Sequence, residues 1–387
     1  SVLVSRTINL QGNSHMSAAL EQEYLSAGRY IINHDIMGCT ADGVVGNHLF
    51  SGRALGISEP WDIIQLHPDL ETLWPHITGH YRRIGLFHTR NVIWDLKPKQ
   101  LGSHIGYQPS VFYYGSEECR YWGDREWFDT VEYINSKNNF MALAAELGVD
   151  VPATLCFASV EGIGPDIVRS MSFPCYLKAA VSVSGVGIYR CENEAELVQA
   201  MGEFGADVPV QLQEEVRTDT FLNLQYRIIG NDVIRLAASE QLLDGFAHQG
   251  NRVPASHEPW AAVDSMAYWL RDHGMKGIFA FDVAVVQTAS GLRFPVIECN
   301  PRYNGATYPT LIAHKLGIPE WLAINLNTAT RSLSGVDLEG IEFDPKTGEG
   351  AIIVNWGTIL EGRLAVLLAG SRDFQESLAV ELRARLC

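Results

Sequence analysis

The strongest chemical signal in the sequence is the run Glu-Cys-Asn-Pro-Arg at positions 298–302, together with an acidic residue upstream, Asp282. Side chains alternate between the two faces of a β-strand, so Glu298 and Asn300 project to one face, and Arg302 follows if the chain stays extended. Small polar residues predict a turn centred near position 290. A hairpin about that centre places Asp282 next to Glu298 on the neighbouring strand.

One face of this hairpin would therefore carry three oxygen donors and two negative charges. Mg²⁺ binds a few carboxylates and completes its coordination with water and phosphate oxygens, and Arg302 adds a planar, permanently charged donor for phosphate. The alternative is a surface hairpin with ordinary charges. Asp282 favours the metal site, because it interrupts the apolar run 278–286, where an unpaired carboxylate is costly to bury. The sequence predicts a magnesium site at Asp282, Glu298 and Asn300.

Two lysines precede this hairpin. Lys178 ends a predicted strand just before the small-residue loop 182–187, whose backbone N–H groups could surround a phosphate. Lys137 stands at a predicted helix start, where a cation is unfavourable unless an anionic ligand faces it. Taken alone, each lysine is more simply a solvated side chain. Their order before the acidic hairpin favours phosphate binding.

A pair of glutamates ends the predicted strand 208–213. Glu214 and Glu215 followed by the apolar Val216 could present a carboxylate, a carbonyl and an N–H group to the edge of an adenine. The alternative is two solvated glutamates. The surrounding motifs favour the nucleotide contact.

The elements that must position these residues form an α+β pattern. Helices are predicted from the Ser136 cap to Gly148, after the Asn193 cap with Glu196 in a capping box, and over 260–273. Strands are predicted over residues 151–157, 173–179, 208–213, 224–229, 233–238, 278–287 and 292–299. Tight turns join several of them, which indicates antiparallel pairing.

The first 130 residues carry weaker signals. Short strands are predicted at 29–32 and 83–87, and a glycine-rich stretch at 38–56 does not fit the G-x-G-x-x-G pattern. We interpret these glycines as turns of an α/β domain, with a substrate-binding loop as the alternative.

Composition limits the classes of function. The net charge of −16, from 29 basic and 45 acidic residues, argues against a nucleic-acid binder and against a polybasic membrane patch. No apolar stretch approaches the roughly 20 residues that span a bilayer, and the start of the sequence has no signal-peptide pattern. The seven cysteines are scattered without a C-x-x-C pair, which favours a reducing, cytoplasmic setting over a disulfide framework or zinc site.

In the order of these motifs, residues 131–317 resemble the ATP-grasp superfamily, a likeness that covers roughly half of the chain. The most specific element is the run at 298–302, because that superfamily shows E-x-N-x-R after an upstream acidic residue. The resemblance implies ATP and Mg²⁺ as cofactors, with ATP clamped between two α+β subdomains. It assigns phosphate contacts to Lys137, Lys178, Ser184, Gly185, Gly187 and Arg302, adenine contacts to Glu214, Glu215 and Val216, ribose to Asp219 or Asn223, and metal to Asp282, Glu298 and Asn300.

The overall layout and the final segment 350–386 resemble, more closely, the peptide ligases of the pheganomycin type. The resemblance implies an N-terminal α/β pre-ATP-grasp domain at 1–130, a small lobe with the Gly loop at 131–207, a large lobe with the metal site at 208–325, and a closing α/β segment at 326–387. Residues 244–252 stand where amino-acid ligases of the superfamily carry a substrate-facing loop. There Arg252 would bind a carboxylate or acyl phosphate, and His248 would contact substrate. The alternative is an ordinary surface loop.

The activity implied is an ATP-dependent carboxylate–amine ligase that forms an amide or peptide bond through an acyl phosphate, releasing ADP and phosphate, in small-peptide or natural-product biosynthesis. The expected partners are carboxylate and amine substrates such as amino acids or short peptides, not nucleic acid or membrane, and a homo-oligomer is left open. The alternatives are an ATP-grasp enzyme acting on a non-amino-acid or carrier-bound carboxylate, and a non-catalytic ATP-binding module.

Overall fold

The computed structural model describes residues 28–40, 45–182, 187–244 and 247–386, without the side chains of residues 244, 247 and 248. Within these residues the strands form one parallel sheet, two antiparallel sheets and a short separate hairpin. No helix in the described part of the chain is long and apolar enough to cross a membrane.

The N-terminal part of the chain forms the parallel sheet. Its strands are β1 (Tyr30–Asn33), β2 (Ile63–Gln65), β3 (Asn91–Ile93) and β4 (Gln108–Val111). They lie in the order β3-β2-β1-β4. A 3₁₀ segment, Asn47–Ile57, and helix α1 (Trp74–Arg83) connect the strands. The strand predicted at 29–32 is confirmed as β1.

The strand predicted over residues 83–87 is wrong, because the helix α1 extends to Arg83. Ile77, His80 and Tyr81 are buried and recur at helical spacing. Gly85 then turns the chain with a φ of 75°, and the Leu86 N–H donates back to the carbonyl of Tyr81 at 2.8 Å. A helix end with its apolar closing residue therefore looks like a short strand in the sequence.

Three helices lead from this sheet to the next one: α2 (Ser116–Trp122), α3 (Arg125–Asn135) and α4 (Lys137–Leu147). The predicted caps of α4 are confirmed. Ser136 Oγ accepts a hydrogen bond from the Asn139 N–H at 3.4 Å, and Gly148 ends the helix with a φ of 66°. This cap fixes Lys137 at the first position of the helix.

A four-stranded antiparallel sheet follows. It contains β5 (Thr154–Phe157), β6 (Cys175–Ala179), β7 (Ile188–Cys191) and β8 (Val210–Glu214) in the order β5-β8-β6-β7. Helices α5 (Pro165–Ser170) and α6 (Glu194–Met201) accompany it. The predicted Asn193 cap of α6 is confirmed, since its side chain accepts from the Glu196 N–H.

The rest of the chain forms an eight-stranded antiparallel sheet, which confirms the predicted antiparallel pairing. Its strands are β9 (Phe221–Ile229), β10 (Asp232–Asp244), β11 (Ala247–Val253), β12 (Gly277–Ala284), β15 (Val296–Asn300), β16 (Trp321–Asn327), β17 (Gly350–Asn355) and β18 (Arg363–Ala369). Their order is β15-β12-β9-β10-β11-β16-β18-β17. The short hairpin of β13 (Val286–Thr288) and β14 (Gly291–Arg293) joins β12 to β15.

Helices cover this large sheet: α7 (Asp264–Asp272), α8 (Thr307–Leu316) and α9 (Arg372–Leu386). The helix predicted over 260–273 is a 3₁₀ turn, Trp260–Ala262, followed by α7. Strands β17 and β18 lie beyond residue 325 and still pair into the same sheet, so the large sheet continues through the segment expected to close the fold.

Candidate functional site

Asp282 and Glu298 lie directly opposite each other on the antiparallel strands β12 and β15, and Ala280 is opposite Asn300. This register confirms the hairpin predicted from the turn near residue 290. The pairing becomes irregular immediately after Asp282, so the regular alternation of faces ends beside the two carboxylates.

Three side-chain amides hold the Asp282 carboxylate. Asn223 Nδ2 and Gln241 Nε2 donate to its Oδ1 at 2.8 and 2.6 Å, and Asn300 Nδ2 donates to its Oδ2 at 2.9 Å. Burial and the nearby charge of Glu298 nevertheless raise the pKa of Asp282 to about 6. The surroundings therefore disfavour the negative charge of Asp282 beside that of Glu298, even though three amides donate to its carboxylate.

Sequence reasoning missed Gln241 and gave Asn223 a different role. Asn223 lies on β9 between the buried Leu222 and Leu224, and this interruption of an apolar strand was a usable signal. Gln241 lies on β10 and reaches Asp282 across β9. The order of the strands in the sheet brings Gln241 to Asp282, so no local pattern in the sequence could predict this contact.

Glu298 faces cations. Lys137 Nζ lies 3.2 Å from Glu298 Oε2 and donates to Ser182 Oγ at 2.9 Å. Burial alone would raise the pKa of Glu298, but Lys137, Lys178 and Arg302 together lower it below its usual value. Lys137 thus links the start of α4 and the segment after β6 to the acidic hairpin.

Lys178 is a nearly buried cation on β6, with 9% of its surface exposed. Its Nζ donates to Gln213 Oε1 at 2.6 Å, and Gln213 in turn donates to Thr154 at 3.0 Å. Burial lowers the pKa of Lys178 to about 8, an effect that the charge of Glu298 only partly offsets. Its direct partner is a neutral amide, so this cation is available to an anionic ligand.

Arg302 completes the group. Its Nη1 donates to Asn300 Oδ1 at 2.7 Å, and its guanidinium lies 5.7 Å from the centre of the Phe112 ring. A cavity of about 180 Å³ is lined by Lys137, Ser182, Glu298, Asn300 and Arg302, among other residues. The cavity therefore brings one carboxylate, one lysine and one arginine together between the two antiparallel sheets. Asp282 is paired with Glu298 beside it, and Lys178 acts on Glu298 from β6.

Two comparisons find nothing: no family model matches the chain, and no curated protein sequence matches it. Solved structures do match. An N5-carboxyaminoimidazole synthetase from Staphylococcus aureus complexed with ADP is 12% identical with a TM-score of 0.60, and covers 93% of this chain and 97% of its own. The N5-carboxyaminoimidazole ribonucleotide synthetase from Thermus thermophilus is 16% identical with a TM-score of 0.55, and covers 92% of this chain and 98% of its own. The chain has the ATP-grasp fold.

The predicted fold class is thereby confirmed. In this ATP-grasp fold, the polar cavity lies where the four-stranded sheet meets the acidic hairpin of the eight-stranded sheet. The division into four parts and the pheganomycin-type resemblance remain predictions.

The two glutamates expected at the adenine are engaged with the protein. Glu214 Oε1 accepts from the Ala153 N–H at 3.0 Å. Glu215 accepts from Arg190 Nε at 2.5 Å and from the Tyr176 hydroxyl at 3.2 Å, and the bond from Arg190 lowers its pKa. Both side chains are half-buried and hydrogen-bonded within the protein, and their contact with a nucleotide stays a prediction. Val216 and Asp219 follow in the link between β8 and β9, and their nucleotide contacts remain predictions.

The substrate-facing loop expected at 244–252 is a strand for most of its length, β11, which pairs with β10 and β16. Arg252 is opposite Glu240, one position from the Gln241–Asn251 pair, so it lies on the face away from Asp282. It contacts Glu376 at 3.4 Å. The structure therefore does not bring Arg252 to the acidic hairpin.

The remaining predicted residues fall in or beside undescribed segments. The side chain of His248, and Ser184 and Gly185, lie outside the described residues. Gly187 is described: it adopts a φ of 77° and its carbonyl accepts from the Ala179 N–H at 2.8 Å. This places the end of the small-residue loop directly against the end of β6, next to Lys178.

Proposed function

We propose that this protein is an ATP-dependent ligase that activates a carboxylate as an acyl phosphate and joins it to an amine. The observation that carries the proposal is the pairing of Asp282 with Glu298 opposite Lys137, Lys178 and Arg302. The shared fold with an ADP-bound synthetase supports it. A peptide or natural-product role rests on the resemblance of the sequence.

The donor set fits Mg²⁺. Asp282 and Glu298 are neighbouring half-buried like charges. Desolvation and their repulsion raise the pKa of Asp282, and a divalent cation between them would remove that repulsion. Asn300 Oδ1 accepts from Arg302 in this structure, so Asn300 becomes a ligand only when Arg302 binds another acceptor. Bound at these residues, Mg²⁺ would neutralise the charge of transferring phosphate oxygens.

Lys178 and Lys137 would bind the ATP phosphates. Both are cations within the electrostatic range of Glu298, and phosphoryl transfer needs positioned positive charge more than covalent help from the protein. The nucleotide base would lie towards the end of β8, near Glu214 and Val216. Because Arg190 and Tyr176 hydrogen-bond to Glu215, the base would pack against a side chain whose position is already fixed.

The reaction proceeds in two transfers. A carboxylate oxygen of the acid attacks the γ-phosphorus of ATP, the bond to the β-phosphate oxygen breaks, and ADP leaves. The amine then attacks the acyl carbon, loses a proton, and expels phosphate, which carries away the oxygen from the acid. Arg302 would hold the negative oxygens of the acyl phosphate.

A second cavity, of about 380 Å³, shares Arg302 with the smaller one and lies between the parallel sheet and the large sheet. Its lining includes Tyr30, Phe112 and Tyr303. This position would let a substrate reach the group at Arg302 from the N-terminal part of the chain. We propose that the cavity receives the acid or the amine.

The test is ADP release from magnesium-ATP across a panel of amino acids, other small carboxylic acids and bicarbonate, each alone and with amines. We expect release only with a particular acid–amine pair, and its loss in Glu298→Gln. Glu342→Gln is the matched control, because Glu342 is bound by His80 and Arg83 and lines neither of the two cavities. Tight ATP binding without turnover on any pair would instead support a non-catalytic binding module.

A further inference from the structure

Arg53 is a buried cation that has no acidic partner among the described residues. It lies in the segment Asn47–Ile57 with 7% of its surface exposed. Its Nε and Nη2 atoms are buried and make no hydrogen bond. Burial lowers its pKa. The groups that act on it are Tyr308, which also shares a hydrogen bond with it, Cys39 and Arg302, and none of them is a carboxylate. A guanidinium is rarely buried unless an anion pairs with it.

Aromatic rings surround this guanidinium instead. Its central carbon lies 4.4 Å from the ring centre of Tyr308, 4.6 Å from that of Phe112 and 5.1 Å from that of Phe50. Burial raises the pKa of Tyr308 and lowers that of His34 well below its usual value, so both are neutral. None of these groups supplies the negative charge.

Arg53 lies close to the proposed site of reaction. Phe112 contacts Arg53 at 4.6 Å and Arg302 at 5.7 Å from its ring centre, so the two guanidinium carbons are within about 10 Å of each other. Phe112 and Arg302 both line the larger cavity. An anion bound at Arg53 would therefore be next to an acyl phosphate held at Arg302.

We propose that Arg53 binds a carboxylate of the amine substrate, so that this substrate is an amino acid or peptide and not a simple amine. The inference rests on the proposed function, since it places that carboxylate beside the acyl phosphate. A planar guanidinium suits a carboxylate because two parallel hydrogen bonds join them. With its carboxylate fixed at Arg53, an α-amino acid keeps its amine one carbon away, within reach of the group at Arg302.

The test measures thermal unfolding of the full chain with ADP present. The probes are acetate against acetamide and L-alanine against L-alaninamide, with chloride at equal ionic strength. We expect acetate and alanine to raise the unfolding temperature of the wild type by about 2 °C or more, and the amides to leave it unchanged. Arg53→Met should lose this effect and be at least as stable as the wild type without ligand. Arg125→Met, which removes an exposed arginine paired with Asp129, should keep it.

Equal stabilisation of the wild type and Arg53→Met by the carboxylates, or none in either, would overturn the inference. If Arg53→Met does not fold, Arg53→Lys should need at least twice the acetate concentration for the same shift, and an unchanged concentration would overturn the inference. Stabilisation by ADP alone is measured in parallel. If ADP does not stabilise the wild type, the proposed function is contradicted. The comparison of carboxylates with amides tests only the role of Arg53.

Discussion

Asp282 and Glu298 are direct neighbours across β12 and β15, yet their pKa values move in opposite directions. Burial and the charge of Glu298 raise the pKa of Asp282 to about 6, whereas Lys137, Lys178 and Arg302 outweigh burial and lower that of Glu298. The cations therefore outweigh burial at Glu298 but not at Asp282, where Arg302 is the cation that acts and the hydrogen-bond partners are neutral amides. The uncompensated charge of Asp282 would be stabilised by a further cation bound beside it.

Lys178→Met should weaken nucleotide binding without unfolding the protein. The ammonium is nearly buried and has a neutral partner, so the free protein loses little when it is removed. A charge-assisted contact to phosphate is worth roughly 1.5–3 kcal/mol, which corresponds to a loss of about tenfold or more in ADP affinity by calorimetry. Lys346→Met, at an exposed turn, serves as the control. Unchanged affinity for ADP in Lys178→Met would remove this lysine from the site.

Gly250→Ala should destabilise the large sheet. A Cβ at this position would lie 1.9 Å from the Ala323 carbonyl oxygen on β16, so the two strands would have to separate. We expect a loss of roughly 2 kcal/mol or more in the free energy of unfolding. Gly164→Ala is the matched control, because its added Cβ meets nothing within 4 Å. If both variants unfold at the same denaturant concentration, the close approach of these strands is not as described.

The stabilising contribution of His34 should depend on pH. Burial lowers its pKa well below 6.5, so below pH 6.5 the unfolded chain binds a proton that the folded chain does not. Stability from this group is present above pH 6.5 and falls as the pH decreases. The difference in unfolding free energy between the wild type and His34→Gln should therefore narrow by up to about 2 kcal/mol from pH 6.5 to pH 5. Denaturant titrations at several pH values measure it, and a constant difference would contradict it.

Local patterns were enough to predict the acidic hairpin. The turn near residue 290 and the alternation of side chains set the register of Asp282 against Glu298, and the cap at Ser136 set the position of Lys137. These features depend on residues close together in the sequence. The antiparallel pairing of the middle strands could be predicted from the tight turns that join them.

Features that depend on distant pairing could not be predicted. Gln241 reaches Asp282 only because β9 lies between β10 and β12. Arg53 is unusual only because folding buries it with no acidic partner in the described part of the chain. The stretch 244–252 is polar like a loop, but the strand β11 within it pairs with β10, and residues 250–252 pair with β16 as well. Residues 83–87 carried an apolar run too short to distinguish a strand from a helix end.

The central claim is that the acid is activated as an acyl phosphate, and oxygen tracing tests it most directly. The acid of the pair that supports ADP release is labelled with ¹⁸O in its carboxylate, and the phosphate released with the amide product is analysed by mass spectrometry. The proposed mechanism predicts one labelled oxygen in each phosphate, because the bridging oxygen of the acyl phosphate comes from the acid. Amide formation with unlabelled phosphate would contradict it.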